Sequence, residues 1–170
     1  IETKTVLRNG YTINKKTKKK IKAIILVHTF GNPCSISKLK FLCKSRNIKI
    51  IEDASESLGS KYIMGRASNR YTSTIGDIGC ISFNGNKIIT AGAGGMIITN
   101  NDSLAKKIRY LIKQAKDDDL RYIHNEIGYN YAQTNIHAAL GLAQFEKLKQ
   151  ILTAKRKIHK NYIKNIKDID

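Results

Sequence analysis

Three consecutive stretches decide the fold: Ile21-Lys-Ala-Ile-Ile-Leu-Val-His28, then Ser35-Ile-Ser-Lys-Leu-Lys-Phe-Leu-Cys-Lys-Ser-Arg46, then Ile48-Lys-Ile-Ile-Glu-Asp53. The first is a nearly continuous apolar run rich in Ile, the pattern of a strand buried on both faces, and Gly31-Asn-Pro33 ends it. In the second, Ile36, Leu39, Leu42 and Cys43 recur at helical spacing, with Ser35 placed as N-cap and Asn47 as the stop. The third is a second short buried strand, which delivers Glu52 and Asp53 at its carboxyl end. Strand, helix and strand within about 30 residues make one right-handed parallel crossover unit. The class that follows is α/β with a mainly parallel sheet flanked by helices.

Toward the amino end, residues 1–20 are polar, and Asn9-Gly10 lies between Thr5-Val-Leu7 and Tyr11-Thr-Ile13. That dipeptide predicts a surface hairpin or insertion. Toward the carboxyl end, Gly79-Cys-Ile-Ser-Phe83 and Met96-Ile-Ile-Thr99 read as strands around a Gly92-Ala-Gly-Gly95 turn. Leu104, Ile108, Leu111 and Ile112 then mark an amphipathic helix begun by Asn101 or Asp102 and broken at Asp117-Asp-Asp119. A loop containing Gly128-Tyr-Asn-Tyr131 precedes a helix from about Thr134, whose Ala138, Ala139, Gly141 and Ala143 permit close packing. A Lys-rich helix follows.

Composition restricts the function classes. The 31 Lys and Arg against 13 Asp and Glu give a net charge of +18. The densest run is Asn14-Lys-Lys-Thr-Lys-Lys-Lys20, and the remaining lysines lie scattered along helix faces without interleaved aromatics. This reads as a solvated surface before a nucleic-acid platform, which pairs charge with stacking rings. Cys34, Cys43 and Cys80 are odd in number and widely spaced, so neither a disulfide framework nor a zinc site is expected, and a reducing cytoplasm fits. The longest apolar run, Ala23 to Val27, is too short to cross a bilayer. The chain opens on Ile1 and closes within a helical pattern, so we expect a segment of a longer protein.

Ligands of open α/β sheets bind outside the carboxyl ends of the strands, where Asp53 falls. On its own, Asp53 reads first as a cap or turn former. Lys87 follows a buried strand in Ile-Ser-Phe-Asn-Gly-Asn-Lys. A Lys enclosed in a partly apolar pocket is the nucleophile an aldehyde cofactor needs. Read alone, however, it is one surface lysine among many.

Five segments occur in a telling order. They are Ile24 to His28, Ile51-Glu-Asp-Ala-Ser-Glu-Ser-Leu-Gly59, Gly76-Asp-Ile-Gly-Cys-Ile-Ser-Phe-Asn-Gly-Asn-Lys87, Gly94-Gly-Met-Ile-Ile-Thr-Asn100, and Gly128-Tyr-Asn-Tyr-Ala-Gln-Thr-Asn-Ile-His-Ala-Ala-Leu-Gly141. Together they resemble the DegT/DnrJ/EryC1/StrS sugar aminotransferases. The likeness is greatest to the branch acting on UDP-linked 4-keto-6-deoxy amino sugars, toward bacillosamine or legionaminic acid.

The resemblance implies the large domain of a fold type I pyridoxal 5′-phosphate (PLP) enzyme. It would have a polar insertion at 1–20, the PLP-binding part at 21–150, and the start of a helix toward a small domain at 151–170. It implies Lys87 as the Schiff-base lysine that shuttles a proton, Asp53 paired with the pyridinium nitrogen, and Glu56 near the phenolic oxygen. Ser82 would sit on the phosphate, and Asn130 on the phosphate of a neighbouring subunit in a homodimer. At about 3 Å and an effective dielectric of about 20, the gross attraction from Asp53 is roughly 5 kcal/mol, ample to hold that nitrogen protonated. The implied substrates are a nucleotide-linked keto-sugar and an amino donor, expected to be glutamate.

The resemblance assigns no role to His137, and His28 reads as a satisfied structural residue. Ala132 stands where the family usually carries Arg. Two other readings are weaker. Relatives with His at the lysine position are sugar dehydratases, which Lys87 argues against, and a truncated remnant or basic binding module would use the charge and not the pocket.

Overall fold

A computed structural model describes residues 1–166 of the chain, so the last four residues of the 151–170 segment lie outside the described residues. The chain divides into two compact units, Ile1–Ile81 with Gly95–Ala132, and Ser82–Gly94 with Gln133–Asp170.

The first unit opens with β1 (Thr5–Arg8) and β2 (Tyr11–Asn14), paired antiparallel with Arg8 opposite Tyr11. Asn9 and Gly10 between them both adopt positive φ, 48° and 76°. That is the tight turn whose twist matches the strands, and it demands residues that tolerate the left-handed region. β3 (Lys20–Ile21) adds a third strand. The hairpin is anchored: Thr12 is fully buried and donates to the Arg46 carbonyl at 2.6 Å, while Asn47 Nδ2 donates to the Gly10 carbonyl at 3.1 Å.

β4 (Ala23–Val27), α1 (Ile36–Ser45) and β5 (Lys49–Asp53) form the crossover, with β4 and β5 parallel from Ala23–Lys49 to Val27–Asp53. Ser35 occupies the cap position of α1, although its hydroxyl accepts no cap hydrogen bond. β6 (Ile78–Ser82) runs parallel to β5 with Asp53 opposite Cys80, and β7 (Gly95–Ile98) completes the order β4-β5-β6-β7.

One face of this sheet carries the core. Leu26, Ile48 and Ile50 pack with Ile36 and Cys43 of α1 and with Tyr62, Ala67 and Ile75 of the long connection to β6. Burying each Leu or Ile here contributes about 1.5–3 kcal/mol. The other face of β4 departs from the sequence reading. Ile25 and Val27 are 63% and 51% exposed, because α1 covers only the Leu26 side. A continuous apolar run records the composition of both faces of a strand, and only tertiary structure decides whether both are covered.

α2 (Asp102–Ile112) starts at Asn101, whose Oδ1 accepts the Leu104 amide at 3.0 Å. It ends before the acidic run. Gln114 and Ala115 take positive φ, and Lys116–Asp118 becomes β8, antiparallel to β9 (Ile123–His124). Asp118 then shapes the turn between them, accepting the Leu120 and Arg121 amides at 2.8 and 2.9 Å.

The second unit contains α3 (Asn135–Glu146), capped by Thr134, and α4 (Leu148–Asn165). Ile89 and Ala91 are buried in it, and a side chain at Gly141 of α3 would begin 3.4 Å from the Ala91 Cβ. Gln133 Nε2 donates to the Ala93 carbonyl at 3.0 Å, tying the glycine-rich loop to the start of α3.

Candidate active site

Pleat alternation sends Glu52 and Asp53 to opposite faces of β5. Asp53 shares its side with Val27 and Cys80, its partners across the two parallel ladders, and is half-buried at the carboxyl end of the strand. Its main chain is pinned on both sides: the His28 amide donates to the Asp53 carbonyl at 3.0 Å, and the Ala54 amide to the Cys80 carbonyl at 2.9 Å. Asp53 Oδ1 accepts the Ser55 amide at 3.1 Å. This is the turn-forming bond the residue type favours, and it aims the carboxylate past the strand end.

Glu52 points into the core side and is fully buried. Its Oε2 accepts Tyr62 Oη–H at 2.6 Å, His28 Nε2–H at 3.1 Å and the Ser73 amide at 2.9 Å, while Oε1 accepts the Ile75 and Gly76 amides at 2.7 and 2.5 Å. Burial alone would raise the carboxyl pKa. The bonds from His28, Tyr62, Gly76 and Ile75 outweigh it and hold the value down at about 2. The same burial, with the Glu52 bond and charge, pushes the Tyr62 phenol up. His28 Nδ1 accepts the Cys34 amide at 3.2 Å, which places the ring proton on Nε2, facing Glu52. His28 is thus the satisfied structural histidine that its place in the sequence suggested. Glu52, which sequence reasoning passed over, is the more consequential residue, because its five donors come from positions 10 to 24 residues away.

Glu56 is exposed one turn beyond Asp53, and its Oε2 accepts the amide of Phe30 at 2.9 Å, where the chain takes a left-handed φ of 51°. The carboxylate thereby holds the loop leaving β4.

In the second unit, Ser82 closes β6 and its Oγ accepts the Asn84 amide at 3.3 Å. A hydroxyl that accepts one bond keeps its own proton to donate. Lys87 is half-buried, in a turn closed by its amide on the Asn84 carbonyl at 3.1 Å. His137 lies on α3 with Nδ1 3.0 Å from Thr134 Oγ1.

Asn130 belongs to the first unit, bridged to Lys113. It opens with Ala132 onto a cleft of about 330 Å3 lined by Arg109, Lys113 and Lys116. Asp119 lines the same cleft and pairs with Lys116 at 3.6 Å, so Arg109 and Lys113 are the cations beside Asn130 where Ala132 brings none. A groove of about 760 Å3 along α1, lined by Lys40, Phe41, Lys44, Arg66 and Arg70, shares no residue with these positions.

The sequence matches the DegT/DnrJ/EryC1/StrS aminotransferase family over residues 1–170. The chain belongs to that family. It is 43% identical over 157 residues to the GDP-perosamine synthase of Escherichia coli O157:H7, covering 92% of this chain and 42% of that protein. In three dimensions it is similar to a DegT DnrJ EryC1 StrS aminotransferase from Brucella abortus, with a TM-score of 0.80 and 29% identity over 91% of this chain and 40% of that one. It is also similar to Helicobacter pylori PseC, an aminotransferase involved in the biosynthesis of pseudoaminic acid, with a TM-score of 0.79 and 27% identity over 87% of this chain and 39% of that one. The chain thus spans about two fifths of the length of these family members, and it has their α/β fold. Among the described residues, no helix is long and apolar enough to cross a membrane.

Proposed function

We propose that the protein carrying this chain moves an amino group from an amino acid, with glutamate as donor, to a nucleotide-linked 4-keto-6-deoxy sugar for surface polysaccharide or glycan synthesis. It would do so in the cytoplasm, with PLP as cofactor. The observation that carries the reading is the family match over residues 1–170, with a carboxylate at the end of β5 and a half-buried lysine five residues beyond β6. The donor set suits PLP: an amine, a carboxylate, a hydroxyl and an amide. When bound, the cofactor supplies an electron sink for a carbanion.

Each residue has a task in this reading. Lys87 Nζ would be the amine that holds the cofactor and the base that moves a proton at the reacting carbons. The Asp53 carboxylate, aimed past the strand by its Ser55 bond, would keep a proton on the ring nitrogen. Glu56, whose Oε2 holds the Phe30 amide, would be the carboxylate near the phenolic oxygen. Ser82 would donate its hydroxyl proton to the phosphate, and Asn130 would reach the phosphate of a second subunit in a homodimer. Arg109 and Lys113 beside Asn130 would supply the positive potential that Ala132 does not, Lys116 being paired with Asp119.

The test is absorbance of the full-length protein titrated with PLP, followed by amino-transfer assays with glutamate. A visible band that is lost in Lys87→Ala supports the reading, and no band, or one that survives the substitution, defeats it. The GDP-perosamine synthase relative makes GDP-linked 4-keto-6-deoxy sugars the first acceptors to assay, with UDP-linked ones as the comparison.

A further inference from the structure

The amino-transfer reading uses Asp53 and gives no task to its neighbour Glu52, whose carboxylate faces the opposite side of the sheet. Five hydrogen bonds reach that carboxylate from three separate segments: His28 at the end of β4, Tyr62, and the 73–76 loop. A buried carboxylate is costly unless every acceptor site is filled, so the arrangement is stable only while all three segments keep their places. Gly79 helps. Any side chain there would collide with the Ser73 carbonyl, so the missing Cβ lets the loop close on Glu52.

We infer that Glu52, through His28 and Tyr62, is a positioning residue that fixes the main chain carrying Asp53. The link is His28, which bonds the Glu52 carboxylate with its ring and the Asp53 carbonyl with its amide. Moving the imidazole moves the amide that pins Asp53. The same His28 segment leads directly to Phe30, whose amide holds Glu56. A catalytic carboxylate must be kept within about 0.5 Å of its working position, and a misplacement of about 1 Å can cost about a hundredfold in rate. The inference rests on the reading of Asp53 given above.

The experiment compares full-length wild type with Glu52→Gln, Tyr62→Phe and, as a control, Thr72→Val. Thr72 is buried, and its hydroxyl bonds Ser57 at 2.9 Å and is not one of the five donors to Glu52. Two readouts are taken: hydrogen exchange at the His28 and Ala54 amides, and PLP affinity from the visible band.

Glu52→Gln removes the charge and turns an N–H2 toward donors. It is expected to speed exchange at both amides and to weaken PLP binding, each by about tenfold, with a smaller effect from Tyr62→Phe. Thr72→Val is expected to lower the melting temperature while both readouts stay within about twofold of wild type. If Glu52→Gln and Tyr62→Phe lower the melting temperature but leave the His28 and Ala54 amides as protected as in wild type, Glu52 is only structural and the inference is overturned. If Glu52→Gln does not fold, Tyr62→Phe, which removes one of five donors, decides it. If wild type shows no Lys87-dependent band, the amino-transfer reading fails, and exchange at the two amides still judges the positioning role.

Discussion

Asp77 and Ile50 bond each other twice, the Asp77 amide donating to the Ile50 carbonyl at 2.8 Å and the Ile50 amide donating to Asp77 Oδ2 at 2.9 Å. This pair joins the loop ahead of β6 to the buried middle of β5. Burial would raise the Asp77 carboxyl pKa, but the Ile50 amide and Lys49 hold it below the ordinary value. Asp77→Ala is expected to cost about 1–3 kcal/mol, since it leaves the Ile50 amide without its acceptor. Lys49→Ala should cost about 0–1 kcal/mol, its ion pair with Asp77 being mostly exposed. Urea denaturation of the two variants checks the ordering.

The Glu52 carboxyl predicts an acid limb in stability. Its folded value of about 2 lies below the ordinary 4.5, so between these pH values the unfolded chain binds more protons. The stabilisation, about 3 kcal/mol, is complete above about pH 5 and is lost as pH falls toward 2. The difference in unfolding free energy between wild type and Glu52→Gln should therefore shrink over that window. A difference that stays constant from pH 6 to about pH 2 would contradict it.

The two faces of β4 should respond differently to truncation. Leu26→Ala or Ile36→Ala is expected to cost about 2–5 kcal/mol in this chain, through lost burial and the cavity left behind. Ile25→Ser, on the open face, should cost less than about 1 kcal/mol. Equal losses at Leu26 and Ile25 in chemical denaturation would show that the face is covered in solution.

Asp53→Asn separates turn formation from charge. The amide oxygen can still accept the Ser55 N–H, so stability should change by less than about 1 kcal/mol. If Asp53 has the role proposed above, amino transfer by the full-length protein should fall by about 10²–10³, the loss expected when a preorganised charge beside a reaction is removed. Steady-state rates together with a thermal melt decide it, and transfer within about threefold of wild type would remove Asp53 from the site.

What could be read in the sequence was local. The Asn9-Gly10 turn, the crossover through α1 and the Asn101 cap each depend on residue types within a few positions, and all three are present. The family order of motifs around Asp53 and Lys87 was legible for the same reason. Glu52 was not, because three of its five donors are main-chain amides, which every residue but Pro possesses, and the other two come from His28 and Tyr62. Nor was the bare side of β4. Alternation tells which residues share a face but not what lies against it. The end of α2 before the Asp117 run was missed because an Asp cluster serves a turn as readily as it stops a helix.

The open side of β4 has a colloidal consequence. Ile25 and Val27 form an apolar strip on a strand at the edge of its four-stranded sheet, the kind of surface on which chains stick to one another. A net charge of +18 opposes that through mutual repulsion. Salt weakens the repulsion over a screening length of about 10 Å at 0.1 M and leaves apolar attraction in place. Purified by itself, this chain should stay dispersed in dilute buffer and turn cloudy as sodium chloride is added, the reverse of a protein that salts in.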